Sequence, residues 1–184
     1  RELRRLNTEF GVAFLHVTHT QTEAFAVSDR VMIMNQGRIE QIGPPQDVTH
    51  YPKNLFVAQF VGKNNIFKGE ISDVENGIAT ITGPSGTFRA RLSSPEPERK
   101  DCYIVVRSNL TNLLGDGEVL DNMVDGKLDF SIFESSQVEF NITIAGGNSL
   151  RVDEYEPKPE IRALSVGANV RVGWNANDSM VIFA

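Results

Sequence analysis

His19 is the residue best placed, by type and spacing, to do chemistry. It follows a short, nearly continuous apolar run, Val12 to Val17, and precedes Thr20-Gln-Thr-Glu23, a Thr-x-x-Glu pattern that caps helices. A run of that length, rich in β-branched and large residues, reads as a strand buried on both faces of a mainly parallel sheet. His19 then falls between the carboxyl end of a strand and the start of a helix, where open α/β sheets bind ligands. A neutral imidazole there can donate to a terminal phosphate oxygen while its other nitrogen orients a water. His16 and His19 are three apart, so on a strand they point to opposite faces and do not share a metal ion. His50 lies in a polar turn before Tyr51-Pro52 and reads as surface.

The elements that must position His19 follow from periodicity and punctuation. Residues 1–11 read as an amphipathic helix with Leu3 and Leu6 on one face, stopped by Gly11. A strand over 12–18, a helix over 20–28 and a hairpin pairing 30–35 with 38–42 about Asn35-Gln36-Gly37 come next. Pro44 or Pro45 opens a short helix, and Lys53 to Val61 forms another, with Phe56 and Phe60 one turn apart. This is an α/β pattern. After about residue 65 the grammar becomes all-β: Phe67–Val74, Ile78–Thr82, Thr87–Leu92 and Tyr103–Arg107, then Lys127–Glu134, Gln137–Ala145, Ser149–Asp153, Asn169–Trp174 and Ser179–Phe183. Turn signals and a Pro-rich acidic stretch at 93–101 separate them, as in a barrel or sandwich. Gln137–Val152 echoes Gly77–Leu92, which suggests two related β units, about 65–115 and 125–184.

The ordered series Thr18-His-x-Gln-x-Glu-Ala24, Ser28-Asp-Arg30, a hairpin ending Gly37-Arg-Ile39, Gly43-Pro-Pro45 and Tyr51 to Gly62 resembles the ATPase subunits of ABC importers for sugars, polyamines and ferric iron. The resemblance is specific over residues 1 to about 67. It implies that residues 1–64 are the C-terminal α/β piece of a P-loop nucleotide-binding domain and that His19 is its switch histidine. Thr20 stands where most members carry Asp. Both residues cap helices, so the fold tolerates the change. Residues 65–184 resemble the accessory OB-like β domain called TOBE. There Val105-Val-Arg107 matches a family motif whose next two residues, Pro-Glu, are replaced by Ser108-Asn109, and Val166 to Trp174 fits the closing segment.

Composition narrows the alternatives. The chain has 184 residues, 40% hydrophobic and 23% charged, with a formal net charge of −6. That acidity argues against nucleic acid, which needs a concentrated basic face; Arg89, Arg91, Arg99 and Lys100 are interrupted by acids. An OB-like nucleic-acid reading through Phe88, Tyr103 and Phe140 fails for the same reason. No apolar run approaches the roughly 20 residues of a membrane span. The single cysteine, Cys102, allows no internal disulfide and reads as a buried strand residue.

The 184 residues contain no Gly-x-x-x-x-Gly-Lys-Ser/Thr phosphate loop, no apolar strand ending in paired acids and no Leu-Ser-Gly-Gly-Gln signature. With no methionine at Arg1, the numbering is expected to start inside a longer protein. The resemblance then implies ATP and magnesium as cofactors of the intact protein and none in this stretch, which should be inactive alone. It also implies membrane permease subunits and a second ATPase subunit as partners, a homodimer, and a place on the cytoplasmic face of the bacterial inner membrane. Without its sheet neighbours, the 12–17 strand should leave an exposed seam. The competing reading is a stand-alone β module for a small oxyanion such as molybdate or sulfate, using Ser135-Ser136 or Asn141 to Ser149.

Overall fold

The computed structural model describes residues 2–92 and 99–183, so most of the Pro-rich stretch falls outside the described part, as does the side chain of Leu3. The chain divides into two compact units, one up to Val61 and one from Gly62 onward.

In the first unit, α1 (Glu2–Phe10) ends at Gly11, whose φ of +65° suits a residue without a Cβ. Residues 11–18 form no strand, contrary to the sequence expectation. Leu15 is 90% exposed and Val17 88%. The physical reason is that a parallel-sheet strand requires neighbours on both edges and cover on both faces, and no described segment supplies them. Then follow α2 (Gln21–Val27), the antiparallel hairpin β1 (Val31–Asn35) and β2 (Arg38–Gly43), α3 (Pro45–His50) and α4 (Leu55–Phe60). The hairpin turns through Gln36 and Gly37, both at positive φ, as a two-residue loop requires. Val31, Ile33, Val48, Val57 and Val61 make a small core against Ala24, Phe25 and Phe56. Gln41 fastens the helices to the hairpin: its amide donates to Tyr51 O at 3.0 Å and accepts from the Lys53 N–H at 2.8 Å. Asn54 caps α4 by accepting from the Val57 N–H at 2.9 Å. The only sheet of this unit among the described residues is therefore an antiparallel hairpin, not the edge of a parallel sheet.

The second unit is a closed barrel and a five-stranded sheet on one core. Its strands are β3 (Asn64–Glu75), β4 (Ile78–Gly83), β5 (Gly86–Arg91), β6 (Asp101–Arg107), β7 (Asn112–Leu113), β8 (Asn122–Glu134), β9 (Gln137–Ile144), β10 (Ser149–Tyr155), β11 (Asn169–Trp174) and β12 (Ser179–Ile182), with the short helix α5 (Pro159–Arg162) before β11. The barrel order is β12-β5-β4-β3-β6, and the sheet order is β10-β9-β8-β11-β7. This is the OB-like architecture, a barrel with a half-barrel. Trp174 of the sheet is fully buried against Phe67 and Phe88 of the barrel, with ring centroids 6.1 and 5.0 Å away. The buried Phe88 and Phe140 confirm that these aromatics face the core, not a ligand.

The two halves of this unit repeat each other in detail. Asn65 and Gly69 on β3 correspond to Asn122 and Gly126 on β8. A Cβ on Gly69 would sit 2.6 Å from Ile81 Cγ2, and one on Gly126 2.5 Å from Ile142 Cγ2, so each strand crosses its neighbour too closely for a side chain. Both strands then bulge at the same place, between Ile71 and Asp73 and between Leu128 and Phe130. Each half also lends its last strand to the other. β7, which follows β6 of the barrel, pairs with β11 of the sheet; β12, which follows β11, pairs with β6. The sequence division near 115–125 therefore groups β12 with the wrong neighbours, because alternation identifies strands but not partners.

Candidate functional site

His19 lies in the bend between the irregular 11–18 segment and α2, and its side chain is exposed. Its setting is built by Thr18. The Thr18 hydroxyl accepts from the Thr20 N–H at 3.0 Å and donates to the Glu23 carboxylate at 3.1 Å. The expected capping box is thus displaced. Thr20 is the N-cap by position, yet its side chain makes no cap bond, and Thr18 engages Glu23 instead. Next to His19, Gln21 donates from its side chain to Phe60 O, tying the start of α2 to the end of α4. His19 therefore stands on a locally ordered shoulder and is free to meet a group supplied from outside. Exposed His16 and His50, whose ring meets Tyr51 edge-on at 6.3 Å, are not brought to it. Among the described residues no group of three or more His, Cys, Asp or Glu is arranged to hold a metal.

A second polar constellation lies in the β unit. Lys63 Nζ bonds Glu139 Oε2 at 2.7 Å and stands 3.9 Å from Asp153 Oδ1; Arg151 Nε lies 3.2 Å from Glu139 Oε1. Asn141 donates to Glu139 at 3.0 Å and Ser108 to Asp153 at 2.7 Å. Burial pushes the Glu139 carboxyl up, but the bonds from Lys63 and Asn141 and the charge of Arg151 outweigh it and hold the group below its ordinary range. The bond to Glu139 likewise raises Lys63 against the opposing effect of burial. Two cations and two anions cancel, so the cluster fastens barrel to sheet and leaves no unbalanced charge to attract a ligand. Asn65 completes the fastening: its amide accepts from the Arg151 N–H at 2.8 Å and donates to Arg151 O at 2.7 Å. Asn122 does the same to Arg89 in the other direction, at 2.6 and 2.9 Å.

The donors considered for an oxyanion do not converge. Ser135 sits in the turn before β9, while Asn148 and Ser149 follow its far end; eight residues of strand span roughly 25 Å. Asn141 is buried and already spent on Glu139. Cys102 is buried in β6, and burial, helped by the charge of Asp101, pushes its thiol up to about 11, which makes it unreactive at neutral pH. Sequence reasoning overlooked the Lys63 cluster because its members lie up to 90 residues apart (Lys63 to Asp153). It also passed over Asn-x-x-x-Gly, the one legible sign that β3 and β8 are counterparts.

The β unit defines the chain first as the carrier of a double OB-like domain. The cytoplasmic molybdate-binding protein ModG has this architecture: its molybdate-bound crystal structure aligns with a TM-score of 0.59 at 19% identity, over 66% of this chain and 96% of that one, a likeness of fold alone. In sequence the chain is 37% identical over 178 residues to the spermidine/putrescine import ATP-binding protein PotA of Lawsonia intracellularis (strain PHE/MN1-00), which is 94% of this chain and 48% of that protein. It is 36% identical over 155 residues to PotA of Trichormus variabilis (strain ATCC 29413 / PCC 7937), covering 82% and 41%, and 34% identical over 187 residues to PotA of Oleidesulfovibrio alaskensis (strain ATCC BAA-1058 / DSM 17464 / G20), covering 94% and 49%. The chain is homologous to the C-terminal part of these import ATP-binding subunits and spans about half their length. No family model matches it.

Proposed function

We propose that the chain is the C-terminal part of the energy-coupling ATPase subunit of an ABC importer, with polyamines as the cargo that its relatives favour over ferric iron. The observation that carries this reading is the continuous sequence match to import ATP-binding proteins across both units, which takes in the His19 segment as well as the β domain. Residues 1–64 act as the tail of a P-loop nucleotide-binding domain. The exposed 12–17 run is the strand that its missing sheet would recruit. His19 is the switch histidine, contacting the terminal phosphate and orienting the attacking water. Catalysis is then mainly positioning and charge stabilisation of the transferred phosphoryl group. ATP and magnesium are bound by segments that these residues do not include. Permease subunits and a second ATPase subunit are the partners, and they hold the protein at the cytoplasmic face of the membrane. No helix among the described residues is long and apolar enough to cross it.

The test is ATP hydrolysis by a protein that joins this chain to the upstream nucleotide-binding motifs. His19→Ala should lower the rate by about 10² to 10³, the loss expected for one preorganised donor. A rate within about twofold of wild type removes the assignment. A second reading, a small-oxyanion module, is favoured by the likeness to the fold of a molybdate-binding protein. Calorimetric titration with molybdate and sulfate separates the two, and heat that saturates at one anion per domain would move that reading forward.

A further inference from the structure

The His19 imidazole makes no hydrogen bond with any described residue, so the main chain beneath it sets where it stands. On the amino side that chain has no regular support, because residues 11–18 form no strand. On the carboxyl side it is fixed. The Ala24 N–H donates to Thr20 O at 3.2 Å, opening α2, and the Gln21 side chain donates to Phe60 O. Thr18 carries this order back across His19.

A threonine hydroxyl has one proton to give and lone pairs with which to accept. Thr18 Oγ1 gives its proton to a Glu23 carboxylate oxygen 3.1 Å away and accepts from the Thr20 N–H at 3.0 Å. The ionised carboxylate can only accept, so it turns the hydroxyl proton toward itself and leaves a lone pair for Thr20. The two bonds straddle His19. One closes a turn from residue 18 to residue 20, and the other ties that turn to the first turn of α2. With the main chain held at 18–20, the direction of the His19 Cα–Cβ bond is held too, and the ring keeps only the freedom of its own side-chain torsions.

We infer that Thr18 and Glu23 are positioning residues for His19: the Thr18 hydroxyl, aligned by the Glu23 carboxylate, fixes the point from which the imidazole reaches a terminal phosphate. This rests on the reading of His19 as the switch histidine. A donor contributes to phosphoryl transfer only when it is already in place as charge develops, so the pair acts on the chemical step and not on nucleotide binding. Valine has the shape of threonine without the hydroxyl and loses both bonds. Serine keeps the hydroxyl and restores them.

The experiment uses the protein that joins this chain to the upstream nucleotide-binding motifs. Thr18→Val should lower kcat for ATP hydrolysis about three- to tenfold, the change in population that one net hydrogen bond supports, with KM within about twofold. Thr18→Ser should return kcat to within about twofold of wild type, and Glu23→Gln should fall between the two. Added to His19→Ala, Thr18→Val should cost nothing more, because a positioning residue has no effect once the group it positions is gone. In the chain itself, amide exchange at Thr20 should be slow in the wild type and in Thr18→Ser and faster in Thr18→Val, at an unchanged melting temperature. If His19→Ala slows hydrolysis while Thr18→Val does not, or if the two losses multiply, the positioning role is overturned and the switch reading stands. If His19→Ala is itself without effect, both fall. Equal exchange at Thr20 in all three chains also overturns the inference, since the hydroxyl would then hold nothing.

Discussion

Charge balance at the residue scale gives the β unit a definite acid response. Glu139 titrates below its ordinary value of 4.5 in the folded chain, so its contribution to stability is complete above that value and is lost as pH falls through the lowered one. Lys63 titrates above 10.5, so its contribution is complete below that value and is lost as pH rises through the raised one. Lys63→Met should cost about 1 to 2 kcal/mol at pH 7, discounted because the lysine is partly exposed, and should flatten the fall in stability below pH 4.5. Urea unfolding at pH 3, 5 and 7 would show it; an unchanged acid slope would mean that Glu139 is not held by Lys63. None of this was legible in the sequence, where Lys63 is merely a lysine after a glycine. His19 was legible as a residue that follows an apolar run and precedes a helix, but not the part played by Thr18 in ordering it.

At the scale of elements, local signals worked where the element is closed by its own residues. The β1–β2 turn, the stop at Gly11, the Phe56–Phe60 stack at 5.9 Å and nearly every strand of the β unit follow from turn chemistry and alternation. The failure at 12–18 is equally physical. Its residue types are those of a buried strand, but strand structure belongs to a pair and not to a segment. Those residues are consequently a surface of apolar side chains. Leu15→Lys with Val17→Lys should leave the stability of the chain within about 0.5 kcal/mol, as for surface changes, while the fluorescence of a bound hydrophobic dye falls. Undiminished dye binding would place the exposed apolar surface elsewhere.

For the molecule as a whole, the echo between Gln137–Val152 and Gly77–Leu92 was the visible trace of a repeat whose exchange of final strands was not visible. Alternation records burial, and burial is the same whether a strand closes its own half or the other. The exchange predicts that the halves hold together without a covalent link. A protease site inserted at Asp116, in the loop that carries the exposed Val119, should yield two fragments that co-elute and keep the native melting transition. Fragments that separate on cleavage would show that the lent strands contribute little. The position of β12 has a further consequence, for biosynthesis. The barrel is opened by residues 64–107 and closed by 179–182, so a ribosome releasing the chain from its amino end delivers the missing stave last. Until residues 179–182 emerge, the nascent domain is an unclosed cylinder with β6 bare along one side. A message cut before the codons for Ser179–Ile182 would leave it permanently in that state.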